Sequence, residues 1–292
     1  MHSLTFDSPA KVNLLLSVHG PRPDGFHALS SIVVPLKFGD RLQVTLSEAG
    51  EDRLLCDDPA VPTGDSNLIL RAAGIFRCRL GEALHFTFEL KKRIPMGAGL
   101  GGGSGNAAVA LRAMNALAGE PFRREGLLQM AAELGSDCPF FIDAVSAQMS
   151  GRGEVIEVLP EGARKRLRGR PIVLFRPDFG VPTAWAYGRM RSRAPEFYEQ
   201  PALAQGRIES FLKGGALSEL LGNSFEACVG QKYLAIACLL EQLRAAGHVC
   251  LMSGSGSCCF ALPGNGTELA EIRAICQGAL GEGSFFIETS VL

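Results

Sequence analysis

The chain has 292 residues, 47% hydrophobic and 20% charged, enough to bury one large or two medium cores. Thirty acidic residues against 29 basic ones leave a formal charge of −1, without the basic excess of a nucleic-acid surface. Nine cysteines, an odd number with no Cys-x-x-Cys and no paired histidine spacing, exclude a zinc site or a disulfide frame and read as reduced thiols in a cytoplasmic protein.

Strands come first. A short apolar run over 12–18 is closed by the turn from Gly20 to Gly25, and runs over 31–36 and 42–46 continue the sheet. A helix is expected over 66–80, capped by Asp65 or Ser66. A strand over 84–90 then leads into a glycine-rich segment. A helix follows from about 107, another spans 123–134, and strands return over 145–159 around Gly151 and Gly153. From Pro160 to Pro171 the composition turns basic and glycine-containing, which sets a domain boundary there. Beyond it come a strand over 172–175 and helices over 202–212 and 232–246. Two strands then flank Ser253 to Ser257, followed by a helix over 268–280 and a strand over 285–288. Strands and helices in blocks predict an α+β fold. No apolar run reaches the roughly 18 residues of a membrane span, and the first seven residues lack a signal-peptide core.

The segment from Pro95 to Asn106 reads Pro-Met-Gly-Ala-Gly-Leu-Gly-Gly-Gly-Ser-Gly-Asn, and six of its twelve residues are glycine. A backbone so bare of Cβ atoms invites close approach, and successive N–H groups beside a helix N-terminus make a phosphate cradle. Lys91, Lys92 and Arg93 precede it, and Ser104 is expected to cap the helix that follows. A Walker loop is excluded, because Gly103 is followed by Ser104 and Gly105 and no lysine follows them until Lys165. A dinucleotide fingerprint across Gly97, Gly99 and Gly102 is disfavoured, since a second helix stands where a strand should follow.

Three other places carry chemistry. Lys11 and Asn13 alternate onto one face of an apolar strand. That lysine either meets an anion or carboxylate, or sits on an edge strand turned to water. Asp137, before Cys138 and Pro139, is either a helix cap or a carboxylate at the mouth of a site. The small-residue turn from Ser253 to Ser257 is either a plain hairpin or a place where backbone approaches a ligand.

In this order the motifs resemble the GHMP kinase superfamily: an early Pro-x-Lys-x-Asn-Leu (Pro9, Lys11, Asn13), the glycine-rich centre, and a late Gly-x-Gly turn (Gly254, Gly256). The turn Arg22-Pro-Asp-Gly-Phe-His27, the triple glycine before Ser104 and the segments starting at Ser66 and Leu134 narrow the resemblance to a branch acting on a cytidine diphosphate-linked polyol. The resemblance implies a two-domain α+β kinase with its active site in the inter-domain cleft. Residues 1–160 would form the ATP-binding domain and 161–292 the substrate-side domain, whose last strand packs back on the first.

It further implies that Pro95, Met96, Gly97, Ala98, Gly99, Leu100, Gly101, Gly102, Gly103, Ser104 and Gly105 wrap the ATP phosphates. Asn67, Leu68 and Lys92 would lie near adenine and ribose. Asp137 would be the catalytic base with Lys11 beside it, and Asn13, Phe26, His27 and Asp137 would hold the acceptor. Thr183 and Tyr187 are further candidates for acceptor contact. Magnesium is inferred from the chemistry of ATP, with Ser104 as a candidate ligand. No nucleic acid or membrane partner is expected, and the assembly is a monomer or weak homodimer.

This chain departs from the family pattern where Phe26 replaces a tyrosine and Gly105 replaces a serine, the second change loosening the helix start. Two alternatives stay open: a kinase of the same fold acting on homoserine, mevalonate or a sugar, and a non-catalytic nucleotide binder.

Overall fold

The computed structural model describes residues 3–292. They gather into two compact units, each assembled from separated stretches of chain. The first comprises Met1–Ala10, Phe38–Met96 and Gly101–Val145; the second comprises Lys11–Lys37, Gly97–Leu100 and Ser146–Leu292.

In chain order the elements begin β1 (Ser3–Pro21), β2 (His27–Leu46), β3 (Arg53–Cys56), α1 (Leu68–Leu80) and β4 (Phe86–Lys91). Next come α2 (Gly102–Leu117), α3 (Arg124–Leu134), α4 (Phe140–Asp143), β5 (Ala147–Ser150) and β6 (Val155–Val158). Then follow α5 (Glu161–Leu167), β7 (Pro171–Arg176), α6 (Thr183–Ser192), α7 (Pro201–Leu212) and α8 (Leu217–Leu220). The chain closes with β8 (Gly222–Asn223), α9 (Ser224–Gly230), α10 (Leu234–Ala245), β9 (Cys250–Met252), β10 (Cys259–Ala261), α11 (Gly266–Leu280) and β11 (Phe285–Ser290).

In the first unit β4 lies between β3, which runs parallel to it, and the later half of β2, which runs antiparallel. Helices α1 and α2 supply the apolar cover through Ile69, Ala73, Phe76, Ala107, Ala110 and Met114, at helical spacing. Phe76 meets Phe86 and Phe122 edge-on, with centroids 6.2 and 5.3 Å away.

In the second unit β1 runs parallel to β8, and the early half of β2 pairs with β5, which turns into β6. A separate four-stranded antiparallel sheet has the order β11-β7-β10-β9. Its core includes Val173, Phe175, Phe225, Leu240, Met252 and Cys259.

The mixed fold agrees with the α+β expectation, with differences at particular elements. The two runs over 31–36 and 42–46 are one strand, and Asp40 between them is buried and bonded rather than solvated. Helix α1 is capped by Asn67, whose Oδ1 accepts from Ile69 N at 2.9 Å, and not by Asp65 or Ser66. Helix α2 starts at Gly102 after Gly101, whose φ is +75°, so Ser104 is helical and not the cap. Gly105 does not loosen that start: it is buried within α2, its N–H bonding Gly101 O at 2.8 Å.

Candidate active site

Both ends of the glycine segment belong to the first unit. Asp40, 1% exposed, accepts hydrogen bonds from Lys92 Nζ at 2.5 Å, Arg93 N at 2.6 Å, Ile94 N at 2.7 Å and Asn106 Nδ2 at 3.0 Å. Lys92 therefore has its amine on a buried carboxylate. Asn67 is fixed by its cap bond and by Nδ2 donating to Pro62 O at 2.7 Å. Leu68 faces the start of α2, since a Cβ on Gly103 would lie 3.8 Å from its Cδ1.

Asp137 lies in the turn between α3 and α4. Helix α4 starts after Pro139, two residues beyond Asp137. Burial pushes the neighbouring Cys138 thiol up to about 11, with the Ser104 hydroxyl beside it. Within the first unit, then, the opening turn of α2 and the turn that carries Asp137 are in contact. Met96, the second residue of the loop, is 45% exposed.

The middle of the loop, Gly97 to Leu100, belongs to the second unit with Lys11. Gly97 and Gly99 have φ of +63° and +75°, and Gly101 repeats the value at the loop's end. Alternating residues of this kind turn N–H groups toward a common concavity. Ala98 O accepts from Cys258 N at 3.2 Å, and Gly99 O from Ser253 Oγ at 3.2 Å. A Cβ on Gly99 would lie 2.3 Å from Ser253 O, so no other residue fits there. The turn from Ser253 to Ser257 is thus a backbone seat for the loop. Asn223 braces it, donating from Nδ2 to Met252 O at 2.7 Å and Gly254 O at 2.8 Å.

Lys11 is 6% exposed, which rules out the edge-strand reading. Its N–H donates to Leu100 O at 3.0 Å, and its Nζ donates to Asn13 Oδ1 at 2.7 Å. Asn13 Nδ2 donates to Ser31 Oγ at 2.8 Å, and Ser31 in turn to Leu15 O at 2.6 Å. The shared face predicted by alternation is real, and the chain of bonds fixes the amine's direction.

A second cluster of the same unit surrounds His27, which is 5% exposed. Its Nε2 is 3.1 Å from Tyr198 Oη, and its ring lies 4.9 Å from that of Tyr187. Burial, then the positive charge of Arg191, pushes the His27 imidazole below its ordinary value. Phe26 beside it is 46% exposed, and the Arg152 guanidinium lies 4.5 Å over its ring. Thr183 Oγ1 is 2.8 Å from Ser255 Oγ, so Thr183 opens α6 against the small-residue turn.

Sequence reasoning missed Asp40, Asn223, Arg152 and Tyr198. A carboxylate inside a β-alternating apolar run was a usable signal for Asp40. Nothing local marks the other three, whose partners are distant in the chain. Among the described residues no group of three or more His, Cys, Asp or Glu could hold a metal ion. No helix among them is long and apolar enough to cross a membrane.

Comparison with known proteins bears on this geometry. Residues 67–144 match the sequence profile of the GHMP kinases N terminal domain, and residues 200–280 that of the GHMP kinases C terminal domain. A 4-diphosphocytidyl-2-C-methyl-D-erythritol kinase of Protochlamydia amoebophila is 38% identical over 275 residues, covering 94% of this chain and 89% of that protein. A crystal structure of 4-(cytidine 5'-diphospho)-2C-methyl-D-erythritol kinase superposes with a TM-score of 0.77 at 31% identity, covering 98% of this chain and 99% of that one. A homoserine kinase from Cytophaga hutchinsonii gives a TM-score of 0.74 at 19% identity over 100% of this chain and 95% of its own, a likeness of fold.

Proposed function

This chain belongs to the GHMP kinase family, and from that membership we propose that it transfers the γ-phosphoryl group of ATP to the 2-hydroxyl of 4-diphosphocytidyl-2-C-methyl-D-erythritol. The reaction belongs to isoprenoid precursor synthesis by the non-mevalonate route. The observation that carries the reading is the packing of the phosphate-loop helix's first turn on the segment that follows Asp137, where Ser104 lies beside Cys138 and a Cβ on Gly105 would lie 3.3 Å from Phe141 Cδ1.

Phosphoryl transfer passes through a loose transition state, so the protein contributes mainly position and charge. The N–H groups from Gly97 to Ser104 and the positive end of α2 hold the phosphates. Asn67, Leu68 and the Lys92 stem border the nucleoside. Magnesium, when bound, would neutralise phosphate charge, and Ser104 is the residue of this chain that would ligate it.

Asp137 accepts the proton of the attacking hydroxyl. A tertiary alcohol is a weak acid, so orienting that hydroxyl is the larger part of the residue's work. Lys11, aimed by Asn13, supplies positive charge to the phosphoryl group in flight. Phe26 stacks on the cytosine and His27 hydrogen-bonds it, with Tyr187 beside them. Nine cysteines without a disulfide among the described residues suit a reducing cytoplasm.

The test is a coupled ADP-release assay offering the cytidylyl acceptor alongside homoserine, mevalonate and galactose. Turnover is expected with the cytidylyl acceptor alone. Asp137→Ala is expected to lose about 100- to 10,000-fold in kcat with ATP affinity within about threefold of wild type. Preference for another alcohol, or an Asp137→Ala enzyme of normal turnover, would refute the assignment.

A further inference from the structure

We propose that Asp40 is a positioning residue for phosphoryl transfer, a carboxylate clasp that closes the two ends of the phosphate loop onto each other. The proposal rests on the kinase reading above and concerns a group to which that mechanism gives no task.

Four donors converge on this one side chain. Lys92, Arg93 and Ile94 are the last residues before the loop, and Asn106 is in the second turn of the helix after it. The carboxylate therefore bonds chain on both sides of Pro95–Gly105 while standing on a different strand, β2. The two ends also touch directly. A Cβ on Gly102 would lie 3.0 Å from Ile94 Cγ2 and 3.1 Å from Lys92 Nζ. Lys92, its side chain 7% exposed, balances the charge of Asp40, which is itself wholly buried.

A glycine-rich loop has little stiffness of its own, because its residues have no side chains to pack. Its shape must be imposed at its ends. A backbone cradle binds phosphate well only when its N–H groups already point inward, before the anion arrives. By fixing the peptides at Arg93 and Ile94 and the helix at Asn106, Asp40 sets the span that the loop must bridge. The apolar alternative at position 40 would leave the Ile94 N–H buried without a partner and take the acceptor from the Arg93 N–H.

A structural role alone would lower stability without favouring one substrate over the other. The clasp acts on ATP and not on the acceptor. Asp40→Asn keeps the shape and one acceptor oxygen but removes the charge that holds Lys92. In steady-state kinetics below its melting range, its KM for ATP is expected to rise on the order of 10- to 100-fold, with the acceptor KM within about twofold. An ATP KM within about twofold of wild type, or an equal rise in both KM values, would overturn the clasp.

Should Asp40→Asn fail to fold, Asn106→Ala decides. It removes one of the four contacts and leaves the Lys92 pair, and it is expected to raise the ATP KM at least about threefold while sparing the acceptor KM. An unchanged ATP KM there also overturns the clasp. Wild-type enzyme assayed alongside separates the two ideas. A wild type without ATP-dependent turnover defeats the kinase reading, whereas an active wild type with unaltered variants defeats the clasp alone.

Discussion

A histidine held at 5% exposure beside two tyrosines accepts a proton reluctantly, and that reluctance is measurable. Burial and the Arg191 charge push its pKa below the ordinary 6.5. The unfolded chain thus takes up a proton that the folded chain refuses. Its contribution to stability is complete above about pH 7.5 and is lost as pH falls through about 6.5 toward the folded value. Thermal denaturation across that range should show a shallower loss of Tm on acidification for His27→Asn than for wild type. Tyr198→Phe removes the ring's hydroxyl partner. The acceptor KM should rise about threefold to tenfold, the weight of one hydrogen bond, with kcat retained. Unchanged acceptor affinity would mean that Tyr198 does not orient the imidazole. At this scale the sequence was legible where alternation or a motif marked a residue, as for Lys11 and Asn13. Tyr198, 171 positions from its histidine, is invisible to any local pattern.

At the scale of elements, two glycines carry the strongest expectations. Gly99 pairs a left-handed φ with a 2.3 Å approach to Ser253 O, so Gly99→Ala strains the backbone and unseats the loop together. It should cost about 2–4 kcal/mol in denaturant unfolding. Gly105 is different, being an ordinary helical residue pressed against Ser8 Oγ and Phe141. Ser8 Oγ is buried without a hydrogen-bond partner among the described residues. Gly105→Ala should therefore be neutral or destabilising in wild type, where crowding cancels the roughly 1 kcal/mol gained by alanine in a helix. In a Ser8→Ala background the same change should stabilise. Equal effects in both backgrounds would show that the two sites do not couple. The existence of α1, α2, α3, α10, α11 and the later sheet was readable from periodicity. The ends were not, because the start of α2 is set by the left-handed geometry of Gly101, which leaves Ser104 inside the helix. Likewise β2 continues through Asp40, since distant donors satisfy a carboxylate that in isolation reads as a break.

For the whole molecule the thiols offer a readout. Cys78 and Cys238 are exposed and Cys56 partly so, while the other six are buried. Burial pushes Cys250 up to about 11 and Cys258 and Cys276 up to about 12, so none is a thiolate near neutral pH. Native protein should react quickly with a thiol reagent at Cys78 and Cys238, more slowly at Cys56, and elsewhere only on unfolding. Cys138 belongs to the first unit and Cys259 to the second. Because the chain passes between the units after Ala10, Lys37, Met96, Leu100 and Val145, both should become reactive at one denaturant concentration. Two separated midpoints would mean that the units unfold independently. Such interleaving depends on long-range pairing, which composition and periodicity do not encode.

The same threading has a consequence for synthesis. Leu36 forms a bridge with Val291, and Leu292 N bonds Pro35 O at 3.0 Å. A segment made among the first forty residues waits for this neighbour until residues 291 and 292 have been made, on the order of tens of seconds later at cellular elongation rates. During that interval a row of apolar side chains around Ile32 to Leu36 emerges from the ribosome incompletely covered. The nascent chain is thus a natural client for a holding chaperone, and C-terminal truncation should be felt first as aggregation during expression.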